Sequence, residues 1–226
     1  MKGKLYIVPT PIGNLADITY RAIDVLQTVD AILAEDTRQT KKLLDHYNIH
    51  QKLIPYHQHN EHKISKGIIE KLHNGESFAV CSDAGMPGIS DPGFLLIRES
   101  VHANIEVITL PGAVAAIVGL VGSGLPCDSF IYEGFLPHKK GKQTKIMSLL
   151  EEKRTTIFYE SPHRIVKTLQ MIHDLLGADR SIVIGRELTK KFEEYIRGNP
   201  IQLLEHFTLH EPKGEFVLMI AGYDKK

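Results

Sequence analysis

The alternation of short apolar runs with longer segments of helical period is the feature that most constrains the fold of this chain. The runs LYIV at 5–8 and FAVC at 78–81 have the length of buried strands. Between such runs apolar residues recur at helical spacing, as Ile64, Ile68 and Leu72 do every four residues. Strands that alternate with helices predict an open, mostly parallel α/β sheet with short connections.

The second half of the chain also mixes strand and helix signals. Predicted strands at 181–185 and 193–198 follow one another directly, and we expect a mixed sheet there. Two helices have clear starts, because Ser161-Pro162 and Asn199-Pro200 each place a capping side chain before a proline. The stripe that begins at Ile165 stops at Gly177, which predicts a helix over 162–176.

A length of 226 residues falls between one domain and two at roughly 150 residues per domain. The segment GLVGSGLP at 119–126 is the glycine-dense stretch between two strand-rich halves. We therefore predict an N-terminal α/β domain over 1–118, a linker over 119–126 and a C-terminal α/β domain over 127–226.

Composition excludes several classes of protein. Hydrophobic residues make up 42% and charged residues 24%, which is the balance of a soluble globular protein and not of a disordered or collagen-like chain. No apolar run reaches the roughly 18 residues that span a bilayer, so no membrane partner and a cytoplasmic location are expected. The 27 basic residues are balanced by 27 acidic residues, which gives no global electrostatic case for a nucleic-acid partner.

Charged residues, glycines and prolines gather directly after the predicted strands. In an open α/β sheet, ligands bind outside the carboxyl ends of the strands. This edge therefore predicts a ligand cleft. The segments concerned are EDTR at 35–38, SDAGMPGISDPG at 82–93, ESPHR at 160–164 and Arg186-Glu187.

The two aspartates of the segment at 82–93 receive different interpretations. Asp83 follows a buried strand directly and is expected to contact a ligand, whereas Asp91 is expected to be the N-cap of the next helix. EDTR is compatible with a catalytic carboxylate pair, a metal site or a helix start with Asp36 as N-cap. A metal is the weakest of these, because adjacent carboxylates point in different directions.

Two further segments stay ambiguous on physical grounds alone. ESPHR either caps a helix through Ser161 or orients an anionic or hydroxyl-bearing substrate at the helix N-terminus. The lysine run HKKGKQTK at 138–145 is either a solvated segment or a set of phosphate contacts. It is not a phosphate-binding P-loop, because Gln143 stands where serine or threonine is required.

Taken together, motifs along nearly the whole chain resemble those of the tetrapyrrole-methylase superfamily of S-adenosylmethionine-dependent methyltransferases. The loop PTPIGNLADIT replaces the glycine-rich GxGPGDxxLLT loop that tetrapyrrole enzymes usually carry after the first strand, which favours the ribosomal RNA branch. The motifs that carry the resemblance are PTPIGNLADITYRA at 9–22, EDTR at 35–38, DAGMPGISDPG at 83–93, LPG at 110–112, ESPHR at 160–164, GRELTK at 185–190 and KGEFVLMIAG at 213–222.

The resemblance implies a fold, a cofactor and partners. It implies two α/β domains with S-adenosylmethionine in the interdomain cleft, no metal, and a homodimer. The implied reaction is methylation of the ribose 2′-oxygen of a cytidine in the decoding region of 16S rRNA in the small ribosomal subunit. Cofactor contacts are implied for Pro11, Asp83, Met86, Ile89, Val114, Ala115, Phe158 and Tyr159.

Transfer to a ribose hydroxyl needs in-line placement and help in removing the hydroxyl proton. The candidates for that chemistry, with the base left unassigned, are Glu160, Arg186, Glu187 and Lys190. The residues expected on the substrate side are Glu35, Asp36, Arg38, His163, Arg164, Lys139, Lys140 and Lys142.

Three other functions remain open at this point. The nearest is a methyltransferase that acts on a tetrapyrrole precursor. A metal-dependent hydrolase using EDTR and the histidines is the second. The third is a non-catalytic RNA-binding module, against which the neutral isoelectric point argues mildly.

Overall fold

The computed structural model describes residues 1–138 and 140–223. Over these residues the chain forms two compact units, Met1–Val114 and Ala115–Lys226. Each unit contains a five-stranded sheet with its own hydrophobic core. The predicted pair of α/β sheets, one parallel and one mixed, is confirmed.

Unit 1 is a parallel sheet in the order β3-β2-β4-β1-β5 with helices on both faces. Its strands are β1 (Lys4–Ile7), β2 (Ala31–Ala34), β3 (Leu53–Pro55), β4 (Phe78–Cys81) and β5 (Glu106–Thr109). Its helices are α1 (Tyr20–Thr28), α2 (Thr37–His46), α3 (Glu61–His73) and α4 (Phe94–His102), with a short 3-10 turn at Leu15–Asp17.

The two faces of this sheet bury different side chains of the same strands. Leu33 and Val80 pack with Leu72 and Leu96 of α3 and α4, while Ile32 packs with residues of α1 and α2 on the other face. Every residue of β2 and β4 is buried, as expected for a parallel sheet covered on both sides. The carboxyl ends of all five strands consequently meet at one edge.

Unit 2 is a mixed sheet in the order β6-β7-β10-β8-β9. Strands β6 and β7 are parallel, and the other neighbours are antiparallel. The strands are β6 (Phe130–Phe135), β7 (Thr155–Glu160), β8 (Ile182–Arg186), β9 (Glu194–Gly198) and β10 (Phe216–Ile220). The helices are α5 (Ala115–Ser123), α6 (Lys140–Met147), α7 (Pro162–Leu176) and α8 (Pro200–Leu209).

Two helices of unit 2 begin where the sequence predicts. Pro162 is the first residue of α7, and the helix ends before Gly177. Ser161 occupies the N-cap position, but its side chain makes no capping hydrogen bond, so the predicted side-chain cap is wrong. Helix α8 begins with a full capping box, in which Asn199 accepts from the backbone N–H of Gln202 and the Gln202 side chain accepts from that of Asn199.

The predicted linker at 119–126 differs from the structure over 119–123, which form the second half of helix α5. The two glycines on this helix serve close packing, because a Cβ on Gly119 would lie 3.0 Å from Val217 Cγ1 and a Cβ on Gly122 only 2.2 Å from the Tyr195 hydroxyl oxygen. A glycine-dense sequence here therefore marks tight contact of a helix with its sheet. No helix among the described residues is long and apolar enough to cross a membrane.

Candidate functional site

The loops after β1 and β4 are joined at the carboxyl edge of the unit 1 sheet. The backbone N–H of Thr10 donates to the Gly85 carbonyl oxygen at 2.9 Å, and the N–H of Gly85 donates back at 3.0 Å. The buried Thr10 hydroxyl also donates to the Ser82 carbonyl oxygen at 3.2 Å. These bonds fix the start of the PTPIG loop against the SDAGMPG loop.

Two glycines at this edge allow backbone to approach backbone closely. Gly85 has φ +85°, in the left-handed region that favours glycine. A Cβ on Gly112, in the loop after β5, would lie 2.4 Å from the Cβ of Pro9. A side chain at position 112 would therefore push the loops after β1 and β5 apart, whereas position 85 favours glycine because of its backbone conformation.

Carboxylates from two neighbouring strands meet beside these loops. The backbone N–H of Asp36 donates to Asp83 Oδ1 at 3.0 Å, and that of Asp83 donates to Glu35 Oε2 at 3.4 Å. Asp36 also caps helix α2, where it accepts from the backbone N–H of Arg38 and pairs with its guanidinium. The helix-start interpretation of EDTR is therefore correct for Asp36, while Asp83 remains exposed.

The carboxyl groups at this edge differ in the direction in which their surroundings shift their pKa values. The guanidinium and backbone N–H of Arg38 lower the pKa of Asp36 to about 2. Burial raises the pKa of Glu35, and the negative charge of Asp83 adds to that effect. Burial raises the pKa of Asp91 to about 6, with further contributions from the charges of Glu35 and Asp83. One edge thus presents both a strongly ionised carboxylate and groups that bind protons more readily.

The expectation that Asp91 caps the next helix is wrong. Helix α4 begins at Phe94 with Gly93 as its N-cap residue. Asp91 lies two residues earlier, partly buried, and a hydrogen bond with Ser82 favours its charged form. The Pro92-Gly93 pair carries the chain from this carboxyl group into the helix.

The cofactor residues expected in unit 1 lie on loops at this edge. Pro11 and Met86 are partly buried, and Ile89 is exposed over 40% of its surface. Val114 is the last residue of the unit and follows the LPG segment after β5. These apolar residues and the exposed Asp83 all follow strands of the same sheet, so its carboxyl edge offers both apolar surface and a carboxylate.

The sheet of unit 2 also brings its predicted residues to one edge. The register aligns Glu160 with Phe216, and Phe216 with Arg186. The ammonium group of Lys190 lies 2.9 Å from Glu187 Oε1 and 2.9 Å from Glu215 Oε2. Burial alone would lower the pKa of Lys190, but hydrogen bonds to these two carboxylates outweigh it and raise that pKa.

Backbone conformation supports this cluster. Glu187 has φ +49°, and a Cβ on Gly214 would lie 2.5 Å from Glu187 Cγ. Burial alone would raise the pKa of Glu187, but hydrogen bonds from Lys190 and from the backbone N–H of Glu215 outweigh it and lower that pKa. The Arg186 guanidinium donates to the Lys213 carbonyl oxygen at 2.9 Å. The GRELTK and KGEF motifs are thus two sides of one ion-paired turn.

The structure corrects the assignment of Glu160 as a catalytic candidate. Its side chain is fully buried and pairs with Lys142 Nζ at 3.2 Å and Arg164 Nε at 3.1 Å. The Thr168 hydroxyl lies 2.7 Å from Oε2, and the backbone N–H of Ser161 donates to Oε1. With both oxygens occupied in the interior, Glu160 holds β7, α6 and α7 together and does not face a substrate.

Lys142 and Arg164, expected on the substrate side, belong to the same buried network. Burial lowers the pKa of Lys142, and the charge of Glu160 partly offsets this effect. Arg164 also donates to the carbonyl oxygens of Leu136 and Pro137 at 2.6 and 3.1 Å. Both cations therefore stabilise unit 2, and Lys142 in particular is too buried for a phosphate contact.

The structure describes the other lysines of the run only in part, so their substrate-side assignment stays a prediction. Lys139 lies outside the described residues, as does the side chain of Lys140. Lys145 pairs with Glu133 at 2.9 Å. His163 is exposed near the start of α7, so its substrate-side assignment stays a prediction.

The remaining cofactor candidates lie in unit 2. The side chain of Phe158 is fully buried in the core of that unit, and the assignment of this strand end as a cofactor contact stays a prediction. Tyr159 is partly exposed, and its hydroxyl oxygen accepts from the backbone N–H of Ala116 at 3.2 Å. Ala115, the first residue of α5, is partly buried. The assignments of Tyr159 and Ala115 stay predictions.

Sequence reasoning missed two polar residues that organise these edges. Thr10 follows β1 in the PTPIG loop and is buried, which its place in a strand-end motif could have indicated. Thr168 stands beside Ile165 and Leu169 on the apolar stripe of α7. A hydroxyl on such a stripe signals a buried partner, here Glu160.

Comparison with known proteins identifies relatives over almost the whole chain. Residues 4–203 match the family model of tetrapyrrole (corrin/porphyrin) methylases. The chain is 51% identical over 221 residues to the ribosomal RNA small subunit methyltransferase I of Synechocystis, covering 97% of this chain and 79% of that protein. It is 49% identical over 226 residues to the protein of that name in Escherichia coli O157:H7, covering 98% and 79%.

Solved structures share the fold at low sequence identity. The methyltransferase CobJ matches with a TM-score of 0.72 and 16% identity over 99% of this chain and 96% of that chain. The uroporphyrin-III-C-methyltransferase of Thermus thermophilus matches with a TM-score of 0.67 and 17% identity over 97% and 94%. At this identity the likeness concerns the fold alone.

Proposed function

The chain belongs to the tetrapyrrole methylase family, and from that premise we propose that it methylates ribosomal RNA of the small subunit. The methyl donor is S-adenosylmethionine, and the acceptor is the ribose 2′-oxygen of a cytidine in the decoding region of 16S rRNA. The observation that carries the proposal is identity of about half the residues, over almost the whole chain, to proteins named ribosomal RNA small subunit methyltransferase I.

The residues at the carboxyl edge of unit 1 fit this cofactor. Asp83 exposes a carboxylate that can accept from ribose hydroxyls or an amino group. Gly85 and Gly88, both at φ +85°, keep the loop free of side chains where a ligand would approach its backbone. Met86 and Ile89 offer apolar surface to an adenine ring. When bound, the cofactor supplies a methyl group on a cationic sulfur.

The chain's own charged groups account for orientation and proton handling in this proposal. The carboxylates of Glu35 and Asp83 place negative charge where a sulfonium is to be held. Burial raises the pKa of Glu35 towards the range in which a carboxylate accepts a proton from a hydroxyl. Lys190, held as a cation by Glu187 and Glu215, suits stabilisation of an alkoxide better than proton removal.

A tetrapyrrole precursor is the second candidate substrate. The uroporphyrin-III-C-methyltransferase, whose name gives such a substrate, is only 17% identical, whereas the relatives named for ribosomal RNA are about 50% identical. The sequence comparison therefore favours RNA. We also propose that the protein acts as a homodimer in the cytoplasm, which sedimentation of the purified protein and cell fractionation test.

Two measurements on purified protein test the proposal. Calorimetry measures the affinity for S-adenosylmethionine, and transfer of labelled methyl is followed into unmethylated small ribosomal subunits and, separately, into uroporphyrinogen. Asp83→Asn is expected to weaken cofactor binding about tenfold through loss of a charged acceptor. Glu35→Gln removes the other carboxylate charge and is expected to weaken cofactor binding less than Asp83→Asn does, while lowering turnover by about 100-fold.

Asp24→Asn, on the exposed face of α1, is the matched control and keeps both activities. Labelling of uroporphyrinogen but not of subunits would replace the proposed substrate by the second candidate. Binding to subunits without affinity for S-adenosylmethionine would contradict the methyltransferase proposal.

A further inference from the structure

Unit 1 has a second concave surface, formed by the loops after β3 and β4 and the first turns of α3 and α4. It is a cavity of about 360 Å³, at the lower end of the roughly 300–1,000 Å³ found for small-molecule sites. The residues that matter for its chemistry are Gln58, Glu61, His62, Asp91, Phe94 and Arg98.

One wall of this cavity is an exposed aromatic ring with a cation beside it. Phe94, the first residue of α4, is exposed over 66% of its surface. Arg98 lies one helical turn later, and its guanidinium carbon is 5.4 Å from the centre of the Phe94 ring. An exposed phenylalanine forgoes the stabilisation of burial, so a flat apolar ligand would gain by covering it.

The other wall carries polar groups suited to the edge of a base. Glu61 accepts from the hydroxyl of the buried Tyr56 at 3.3 Å, which orients its carboxylate. Gln58 and His62 are exposed, and Asp91 is partly buried. Carboxylates and amides pair with the amino and ring N–H groups of nucleobases.

Asp91 connects this cavity to the candidate site. It lines the cavity, and it lies in the loop that also carries Asp83. The Asp91 side chain also makes a hydrogen bond with Ser82, the neighbour of Asp83 in the chain. Both surfaces therefore adjoin the same carboxyl edge of the parallel sheet.

We propose that this cavity binds an unpaired nucleotide of the RNA substrate other than the one that is methylated. The base stacks on Phe94, Arg98 contacts the phosphate, and the polar wall meets the base edge. Stacking on aromatic side chains and contact with arginine are the usual means of holding single-stranded RNA. The proposal rests on the proposed function, because that function is what makes RNA the substrate.

The test uses the full-length protein and the variants Phe94→Ala, Phe94→Tyr and Arg98→Gln. The control is Phe192→Ala, because Phe192 is 62% exposed and has Lys191 Nζ at 5.6 Å from its ring but is not among the residues that line this cavity. The measurements are KM and kcat with unmethylated small ribosomal subunits, cofactor affinity by calorimetry, and binding of a fluorescent single-stranded RNA.

Phe94→Ala is expected to raise KM and weaken RNA binding about tenfold, with kcat, cofactor affinity and melting temperature unchanged. Phe94→Tyr keeps a stacking ring and is expected to behave as the parent protein. Arg98→Gln is expected to weaken RNA binding and to lower the slope of log affinity against log salt by about 1. The control keeps all parameters.

Three outcomes would overturn the inference. They are an unchanged KM and RNA affinity in Phe94→Ala, an equal loss in Phe192→Ala, and an effect of Phe94→Ala on self-association alone. If the parent protein methylates no subunits but Phe94→Ala still weakens RNA binding, the proposed function fails and the nucleotide cavity stands. If the parent protein binds no RNA, the nucleotide cavity is refuted.

Discussion

The carboxyl edge of the unit 1 sheet and the corresponding edge of unit 2 use similar residues in opposite ways. In unit 1, Glu35 and Asp83 accept from backbone N–H groups of neighbouring loops, and Asp83 remains exposed. In unit 2, Glu160 is enclosed by two cations and a hydroxyl. One edge keeps charge available to a ligand, while the other uses charge to join its own elements.

Sheet topology explains the difference. In the parallel sheet all five strands end at the same edge, and the loops that leave it carry backbone groups that satisfy a carboxylate without covering it. In unit 2, helices α6 and α7 follow β6 and β7 and bring Lys142, Arg164 and Thr168 onto Glu160. Whether a carboxylate after a strand is available to a ligand or joins elements of the fold therefore depends on what covers that strand end.

The largest effect is expected for Glu160→Ala. It leaves Lys142 buried without its carboxylate, and breaking a buried ion pair costs about 3–5 kcal/mol. Guanidinium unfolding measures the loss. Asp45→Ala, which breaks the exposed Lys41–Asp45 pair on α2, is the control and should cost less than about 1 kcal/mol.

A double variant sharpens this expectation. Replacing Lys142 by Met in the Glu160→Gln background removes both charges, and part of the lost stability should return. Equal costs for Glu160→Ala and Asp45→Ala would mean that the unit 2 network is not structural, and the contrast between the two edges would be wrong.

The second-largest loss of stability is expected when the contact between the loops after β1 and β5 is disturbed. In Gly112→Ala the new Cβ would lie 2.4 Å from Pro9 Cβ, and such overpacking costs about 1–3 kcal/mol. We also expect weaker binding of S-adenosylmethionine, because the loops after β1 and β5 must separate. Unfolding and calorimetry measure the two effects.

The matched control is Gly67→Ala in helix α3, where a Cβ would meet nothing within 4 Å. It should stabilise the protein by up to about 1 kcal/mol through helix propensity. Similar behaviour of the two alanine variants would show that Gly112 tolerates a side chain and that the loops are not held by close approach.

A pH effect on the order of 1 kcal/mol is expected from Asp91. Since burial raises its folded pKa to about 6, its favourable contribution is complete below about pH 4 and is lost as the pH rises through 6. Asp91→Asn cannot ionise and should gain on the order of 1 kcal/mol over the parent at pH 8, once solvent screening of the partly exposed carboxyl is allowed for. Unfolding at pH 4.5 and pH 8 tests this; an equal difference at both values would contradict it.

Sequence patterns predicted local structure better than they predicted partners. Helix α3 occupies 61–73, as its apolar spacing indicates, and both sheets have the expected class. The role of Glu160 could not be predicted, because Lys142 lies 18 residues away and only the packing of α6 brings it near. The packing role of Gly122 could not be predicted either, because its neighbour Tyr195 lies far away in the sequence.

The strand-end carboxylates of unit 1 were easier to place from the sequence, and the reason is physical. Asp83 and Asp36 follow neighbouring parallel strands, and parallel strands bring their ends together whatever the side chains do. In unit 2 the end of β7 is covered by side chains of α6 and α7, and the local sequence predicts these helices but not which of their side chains reach Glu160. Motif position therefore placed the exposed Asp83 at the edge of unit 1, but it did not reveal that Glu160 is enclosed in unit 2.

The smallest effect on stability is expected for Arg38→Gln. The Arg38 side chain is 87% exposed and pairs with Asp36, so its removal should leave the melting temperature unchanged. The pKa of Asp36 should rise from about 2 but stay below its ordinary value, because the backbone N–H of residue 38 still donates to it. NMR titration of the Asp36 carboxyl measures this. A destabilised variant would mean that the unit 1 edge also uses its charges structurally; lost methyl transfer with unchanged stability would instead assign Arg38 to the substrate.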